Sequence, residues 1–508
     1  MKRFDTVTNW QRNVVILLSI GTCALWLLSM AYDDRYLFLA VGTSLLVISL
    51  LPIALSRAYD WCCPWTAVIV AIIYGGTFPS ACMSLGLPDE EFLQKEIFLR
   101  EPPEFFVWPS LLLVASFVCL AAGYFSWPSR SRTSRPIRLD FKTEPKRLLL
   151  VCLVCGVVTT LAFGAYFALN GGLSGGLSTK RSGLHTLDVG ADNSYRSHGY
   201  LRHLAKSGNI ALLLLAAYWC RYKPAAGTVG SVLQTCALGF LLTLSIAFPF
   251  YSSSRAGMLW VVVGLAVVTY YMRRKIISVK AVGLVGLMLM VTVFVTAVRN
   301  GGGESNEKIV KRISHLFLNR HGPDVAVTAH IINALPNTLD YQYGKTISAW
   351  FLAPIPRELF PNKPLVHFGP IIGQSVYKLG LTGIPTGLTA ELYWNFHVMG
   401  VLFGSLIAGF YLRWTYEFFM RIQLDTVLLA PVYAFSVFPI GYKMVSVGVG
   451  PGLIMPIVDF VFASFVVWMS SVMVQRQELS SNQTQQFPGS KVPSLAGKQS
   501  ISNDVLPY

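Results

Sequence analysis

A chain of 508 residues in which 53% are hydrophobic and only 13% charged is not a soluble globular protein, in which about a quarter of the residues would carry charge. A mean hydropathy of +0.53 beside a formal net charge of +16 places the basic residues in connections between apolar runs, where they set topology; this argues against a nucleic-acid reader and for an all-α polytopic membrane protein. The nine cysteines all fall in or beside apolar runs, so neither a disulfide framework nor a zinc site is indicated, although Cys152 and Cys155 have the CxxC spacing.

In chain order the apolar runs predict twelve transmembrane helices, at about 13–31, 36–56, 62–86, 105–127, 147–169, 208–220, 230–250, 256–272, 279–298, 392–412, 427–447 and 451–475. The first is long enough to cross a bilayer and is expected to stay as a signal anchor rather than be cleaved. The sixth is the shortest, and its start is the least defined. Placing Lys2, Arg3 and Arg12 in the cytoplasm puts on the same side the connection 128–147 with seven Lys and Arg, Arg221 with Lys223, and the run Arg273, Arg274, Lys275. The loop 87–104, with six acids against two bases, then falls outside. Both termini are expected in the cytoplasm. A polytopic domain over 1–475 is followed by a tail, 476–508, whose Ser, Gln and Asn content predicts disorder.

Two long outer loops, 170–207 and 299–390, break the charge rule: they hold five bases against two acids and nine against five. Long loops cross regardless of charge, so the topology survives. Their excess positive charge suits either a solvated loop or an anionic client at the outer membrane face. In the second loop, KIVKRISHLFL (308–318) has the pattern of an interfacial amphipathic helix, and VAVTAHIINAL (325–335) that of a helix capped by Asp324 and stopped by Pro336. The segment SAWFLAPIPRELFPNKPLVHFG (348–369) follows, with four prolines between Pro354 and Pro364 that would hold Arg357 and Lys363 on stiff, non-helical backbone.

An Arg and a Lys so placed suit a diphosphate, one by a bidentate fork and the other as a point charge; headgroup contact is the plainer alternative. In YSSSRAGML (251–259), Arg255 stands at the outer start of a helix, where it opposes the helix dipole unless an anion joins them. Arg299 lies at a similar depth and suits snorkelling equally well. In the first loop Arg196, Arg202 and His203 share a flexible, glycine-rich segment, and Arg320 with His321 could face them across a common cleft. GIPTGLTAELYWNFHVMG (383–400) carries Glu391, Asn395 and His397 into the tenth span. Glu391 and Asn395 are one helical turn apart, and Glu391 is a candidate general base with His321 as the alternative, though a capping role would also explain it. Asp33 and Asp34 sit in a loop of only a few residues, and no metal site is expected.

SSSRAG, YGKTISAWFLAPIPRELFPNKP and PTGLTAELYWNFHVMG, set among about a dozen spans and two long outer loops, resemble the bacterial oligosaccharide repeat-unit polymerases, the Wzy-type O-antigen and capsule polymerases. The resemblance implies a GT-C-like architecture shared with the O-antigen ligases, and a metal-independent glycosyltransferase of the inner membrane with no cofactor. It implies polymerisation of undecaprenyl-diphosphate-linked oligosaccharide into O-antigen, capsule or exopolysaccharide. Arg255, Arg299, Arg357, Lys363, Arg196, Arg202, His203, Arg320 and Asn395 would then bind the substrate and its diphosphate, and Glu391 or His321 would take the hydroxyl proton. The implied partners are membrane lipid and the chain-length regulator and flippase of the same pathway, with no nucleic acid. An O-antigen ligase, a lipid-linked-oligosaccharide flippase and a structural subunit of an export complex are the rival readings.

Overall fold

The computed structural model describes residues 5–6, 9–31, 34–56, 58–84, 101–102, 104–126, 137–138, 141–169, 199–222, 229–251, 255–273, 325–355, 359–360, 364–366, 368–378, 383–423 and 426–473. Nearly all of them are helical. The long helices are α1 (Asn9–Ala31), α2 (Asp34–Leu55), α3 (Pro64–Ile72), which runs through a π-helical turn into α4 (Phe78–Ser84), α5 (Glu104–Ser126) and α6 (Pro145–Leu169). Then come α7 (Gly199–Ala205), α8 (Ser207–Arg221), α9 (Val229–Tyr251) and α10 (Arg255–Arg273). The loop region contributes α11 (Val325–Asn333), α12 (Lys345–Ser348) and α13 (Gly369–Ser375). The chain closes with α14 (Gly387–Met399), α15 (Ser405–Arg421), α16 (Thr426–Val432), α17 (Ile440–Ser446) and α18 (Val449–Ser470).

Among the described residues nine helices are long and apolar enough to cross a membrane, with α10 a shorter apolar one. A 23-residue helix such as α1 is about 34 Å long at 1.5 Å per residue, the thickness of the hydrocarbon core. Leu17, Ile20, Leu27 and Met30 of α1 are exposed, as expected of side chains that face lipid. The span made by α16 and α17, which follow one another through a π-helical turn at Tyr433–Val437, is by contrast almost wholly buried and forms the centre of the bundle. The expected ninth span (279–298), the amphipathic segment 308–318 and the tail lie outside the described residues.

The ends of the bundle are fixed by short pairings. Asp5–Thr6 pairs with Ala58–Tyr59, Ile137–Arg138 with Ile422–Gln423, and Phe141–Thr143 with Ser471–Met473, so segments expected on one side of the membrane do share one end. There Asp60 accepts hydrogen bonds from Tyr416 (2.7 Å), Tyr271 (3.0 Å) and the Cys62 amide (2.9 Å), tying three distant stretches together. The opposite end, which carries the long loops, is called the loop end below.

Small residues set a close helix crossing between α5 and α15. A side chain on Gly123 of α5 would run into the Leu406 carbonyl, one on Gly409 of α15 into the Leu120 carbonyl, and Ser116 and Ser405 meet at 2.7 Å between their hydroxyls. Such contacts let two membrane helices pack backbone to backbone, where lipid offers no hydrophobic drive for association.

Two spans differ from expectation. The sixth starts at Gly199, because α7 and α8 follow one another with a single turn at Lys206 between them. The tenth starts at Gly387 and is broken: Phe396 (φ −139°, ψ 18°) and His397 (φ 58°, ψ −154°) leave the helical region before the chain resumes through a π-helical turn at Gly400–Gly404 into α15.

Candidate functional site

Glu391 was expected near the membrane surface at the outer end of a span. It lies there, in the second turn of α14, and is fully rather than partly buried, 3% exposed, where α14 meets the start of α18. Its Oε2 accepts the Val449 amide at 2.6 Å and its Oε1 accepts the Thr346 hydroxyl at 2.9 Å. Val449 is the first residue of α18. The carboxylate therefore occupies the position where free amides and the helix dipole favour a negative charge. Gly448, at φ +147°, leaves room for it, since any side chain there would strike the carboxylate.

Asn395, one turn on as expected, does not touch that carboxylate. Its Nδ2 donates to Thr346 Oγ1 (2.7 Å) and to the Glu391 carbonyl (2.8 Å), while its Oδ1 accepts the Gly344 amide (2.8 Å). Thr346 thus relays between Asn395 and Glu391. The stretch 340–350 is pinned onto α14 by the same device, with Gln342 N–H donating to the Trp394 carbonyl (3.0 Å) and Trp394 Nε1 to the Asp340 carbonyl (2.8 Å).

A second charged group lies deeper. Asp459 is the middle residue of α18, about 15 Å along the axis from its start, and is 4% exposed. Its carboxylate receives Lys443 Nζ of α17 at 2.7 Å and Lys206 Nζ, from the turn between α7 and α8, at 3.3 Å. Ser207, beside Lys206, hydrogen-bonds Thr159 (2.9 Å) near the middle of α6, which confirms the depth. Among the described residues, two ammonium groups on one carboxylate leave a formal charge of +1 within an apolar bundle, where an unbalanced ion is costly.

Toward the loop end, Arg202 donates to the Tyr166 hydroxyl (2.8 Å) and lies over its ring, 5.4 Å from the centroid. Tyr166 in turn packs on Tyr251, at the end of α9. Helix α10 begins at Arg255, as its residue pattern suggested, and Trp260 on that helix packs against Tyr442, the neighbour of Lys443. Arg202, His203, Lys206, Lys443 and the start of α10 therefore belong to one quarter of the bundle. An open apolar groove of about 420 Å³ runs beside Met444 and Val449, between Leu392, Phe403, Ile407 and Leu453.

Of the residues chosen from sequence, Glu391 and Asn395 come together in one hydrogen-bonded node, and Arg202 and His203 lie next to the Lys206 turn. Arg196, Arg299, Arg320, His321, Arg357 and Lys363 lie outside the described residues, as does the side chain of Arg255. Sequence reasoning missed Thr346, Lys206, Lys443 and Asp459. For Lys443 and Asp459 the signal was present: each is a charged residue inside an apolar run, in GYKMV and IVDFV. Comparison with protein-family models, with curated proteins and with solved structures gives no match.

Proposed function

We propose that the chain is a polymerase of lipid-linked oligosaccharides at the outer face of the bacterial cytoplasmic membrane. A sugar hydroxyl of one undecaprenyl-diphosphate-linked repeat unit attacks the anomeric carbon of a second lipid-linked glycan. The bond from that carbon to the diphosphate oxygen breaks, and the hydroxyl proton passes to a base. The donor is already activated, so the protein's task is to stabilise a departing diphosphate and accept one proton.

The observation that carries this reading is the pair Lys206 and Lys443 on the single carboxylate of Asp459. Its surplus positive charge favours an anion at that spot, and both lysines retain partial exposure, 32% and 21% of the side chain, through which one could be met. Arg202 extends the positive region toward the loop end and His203 stands beside it on α7, and Arg255, Arg357, Lys363, Arg299, Arg196 and Arg320 are the remaining candidates. The apolar groove beside Met444 suits a polyprenyl chain. In this reading Glu391 is a positioning residue, since its oxygens are engaged in holding α18, and His321 takes the proton.

One observation favours a second reading, a transporter of the same lipid. Charged groups at mid-depth beside a turn at Lys206, and a second broken helix at His397, are features that transporters use to bind substrate within the membrane. Purified protein in liposomes separates the two. A polymerase converts lipid-linked repeat unit into a ladder of longer glycans, whereas a transporter moves the labelled lipid between leaflets with no change in glycan length.

A further inference from the structure

The chain breaks α14 at Phe396 and His397 without a proline or glycine at the break. His397 sits at φ 58°, ψ −154°, a region that is all but reserved for glycine. Among the described residues only two other non-glycine positions have positive φ, and one of them is Tyr343 at 45°. These two strained residues belong to one aromatic group. Tyr341 lies 6.3 Å from Tyr343 and 5.7 Å from His397 between ring centroids, and Tyr393 lies 4.7 Å from His397 with its hydroxyl 3.1 Å from Nε2. Trp108, at the start of α5, lies beside Tyr393.

The strain is held in place from both sides. Gln342 and Gly344 donate to Trp394 and Asn395, the last residues before the break, so the loop and the broken helix lock each other. What the strain achieves is presentation: Tyr343 is 77% exposed and Trp108 50%, while the ring edges behind them carry hydroxyl and imidazole groups. Tyrosine and tryptophan also gather at bilayer interfaces, but an interfacial anchor is reached by ordinary rotamers on relaxed backbone and needs no strained residue. Flat rings with a polar rim suit a ligand whose faces are C–H and whose edges are hydroxyl, which is the chemistry of a pyranose ring.

We propose that Tyr341, Tyr343 and His397, backed by Tyr393 and flanked by Trp108, form a stacking platform for the sugar rings of an oligosaccharide. The identity of that oligosaccharide as the glycan of the lipid-linked repeat unit rests on the polymerase reading; the platform itself rests on the geometry above.

The test uses the full-length protein in lipid nanodiscs and, as probe, the water-soluble oligosaccharide freed by mild acid from the source cell's own diphosphate-linked lipids. Saturation-transfer NMR should show magnetisation reaching the sugar ring protons, and calorimetry should give a dissociation constant. Tyr343→Gly removes the ring yet suits the positive φ, so its melting temperature should stay level or rise while binding weakens about tenfold, the order of one lost stacked ring. Tyr343→Phe should bind within about threefold of wild type, since the ring is kept. Wild-type protein that binds no oligosaccharide, or a Tyr343→Gly variant that binds as wild type does, overturns the platform, and lower retention in the nanodisc with unchanged binding would mark an interfacial anchor only. The two readings fail separately. Binding through Tyr343 without a glycan ladder from lipid-linked units keeps the platform and sinks the polymerase; a ladder with binding indifferent to Tyr343→Gly does the reverse.

Discussion

Glu391 and Asp459 are equally buried, at 3% and 4% exposure, and both serve the same helix, one at its start and one at its middle. Their neighbours differ in kind. Glu391 is satisfied by neutral donors, a backbone amide and a threonine hydroxyl, and the start of α18 gains a cap. Asp459 is met by two ammonium groups and is outnumbered. Burial alone therefore does not mark a functional carboxylate; the balance of charge around it does. A balanced carboxylate holds the fold, and an overmatched one leaves a positive site, which the proposed function assigns to the diphosphate.

The comparison breaks most easily at Asp459. Asp459→Asn would leave two partly buried ammonium groups without their counter-charge, and stability should fall by about 3 kcal/mol, read as loss of folded protein in a detergent thermal melt. Glu391→Gln places an amide N–H₂ or a weaker acceptor against the Val449 amide and should cost about 1–3 kcal/mol. The folded fraction should keep activity within about tenfold of wild type, because in this account Glu391 does not take the proton. Full stability with no turnover would instead return the base role to Glu391.

Smaller effects sharpen the contrast. Thr346→Val removes the donor to Glu391 and the acceptor for Asn395, costing about 1 kcal/mol. Thr346→Val and Glu391→Gln should be non-additive in a double-mutant cycle, since the two side chains are bonded to one another. Lys443→Met leaves a one-to-one pair between Lys206 and Asp459, so stability should fall by less than in Asp459→Asn, by about 1–2 kcal/mol. Turnover should nevertheless be lost, and that separation of stability from activity is what a surplus cation requires.

The residues differ in how far they could be read in advance. The apolar runs and the basic connections are local, so most spans and the shared end of the short pairings were legible. So was the one-turn spacing of Glu391 and Asn395. Their common partner Thr346 is 45 residues away in the chain from Glu391, a contact that only packing creates. The sixth span was read as starting late because Arg202, His203 and Lys206 look like loop residues; Tyr166 and Asp459, which accommodate two of them, come from other helices. The break at Phe396 and His397 carries no Pro or Gly to announce it, because its cause is the loop clasped against Trp394 and Asn395.

The most direct measurement is a reconstitution: purified wild-type protein and the Lys443→Met variant in liposomes, each given undecaprenyl-diphosphate-linked repeat unit, with the glycans separated by size. The account predicts a ladder from wild type and, from a Lys443→Met protein that melts within a few degrees of it, unextended repeat unit alone. A ladder of equal length and yield from Lys443→Met, or no ladder from wild type, would contradict it.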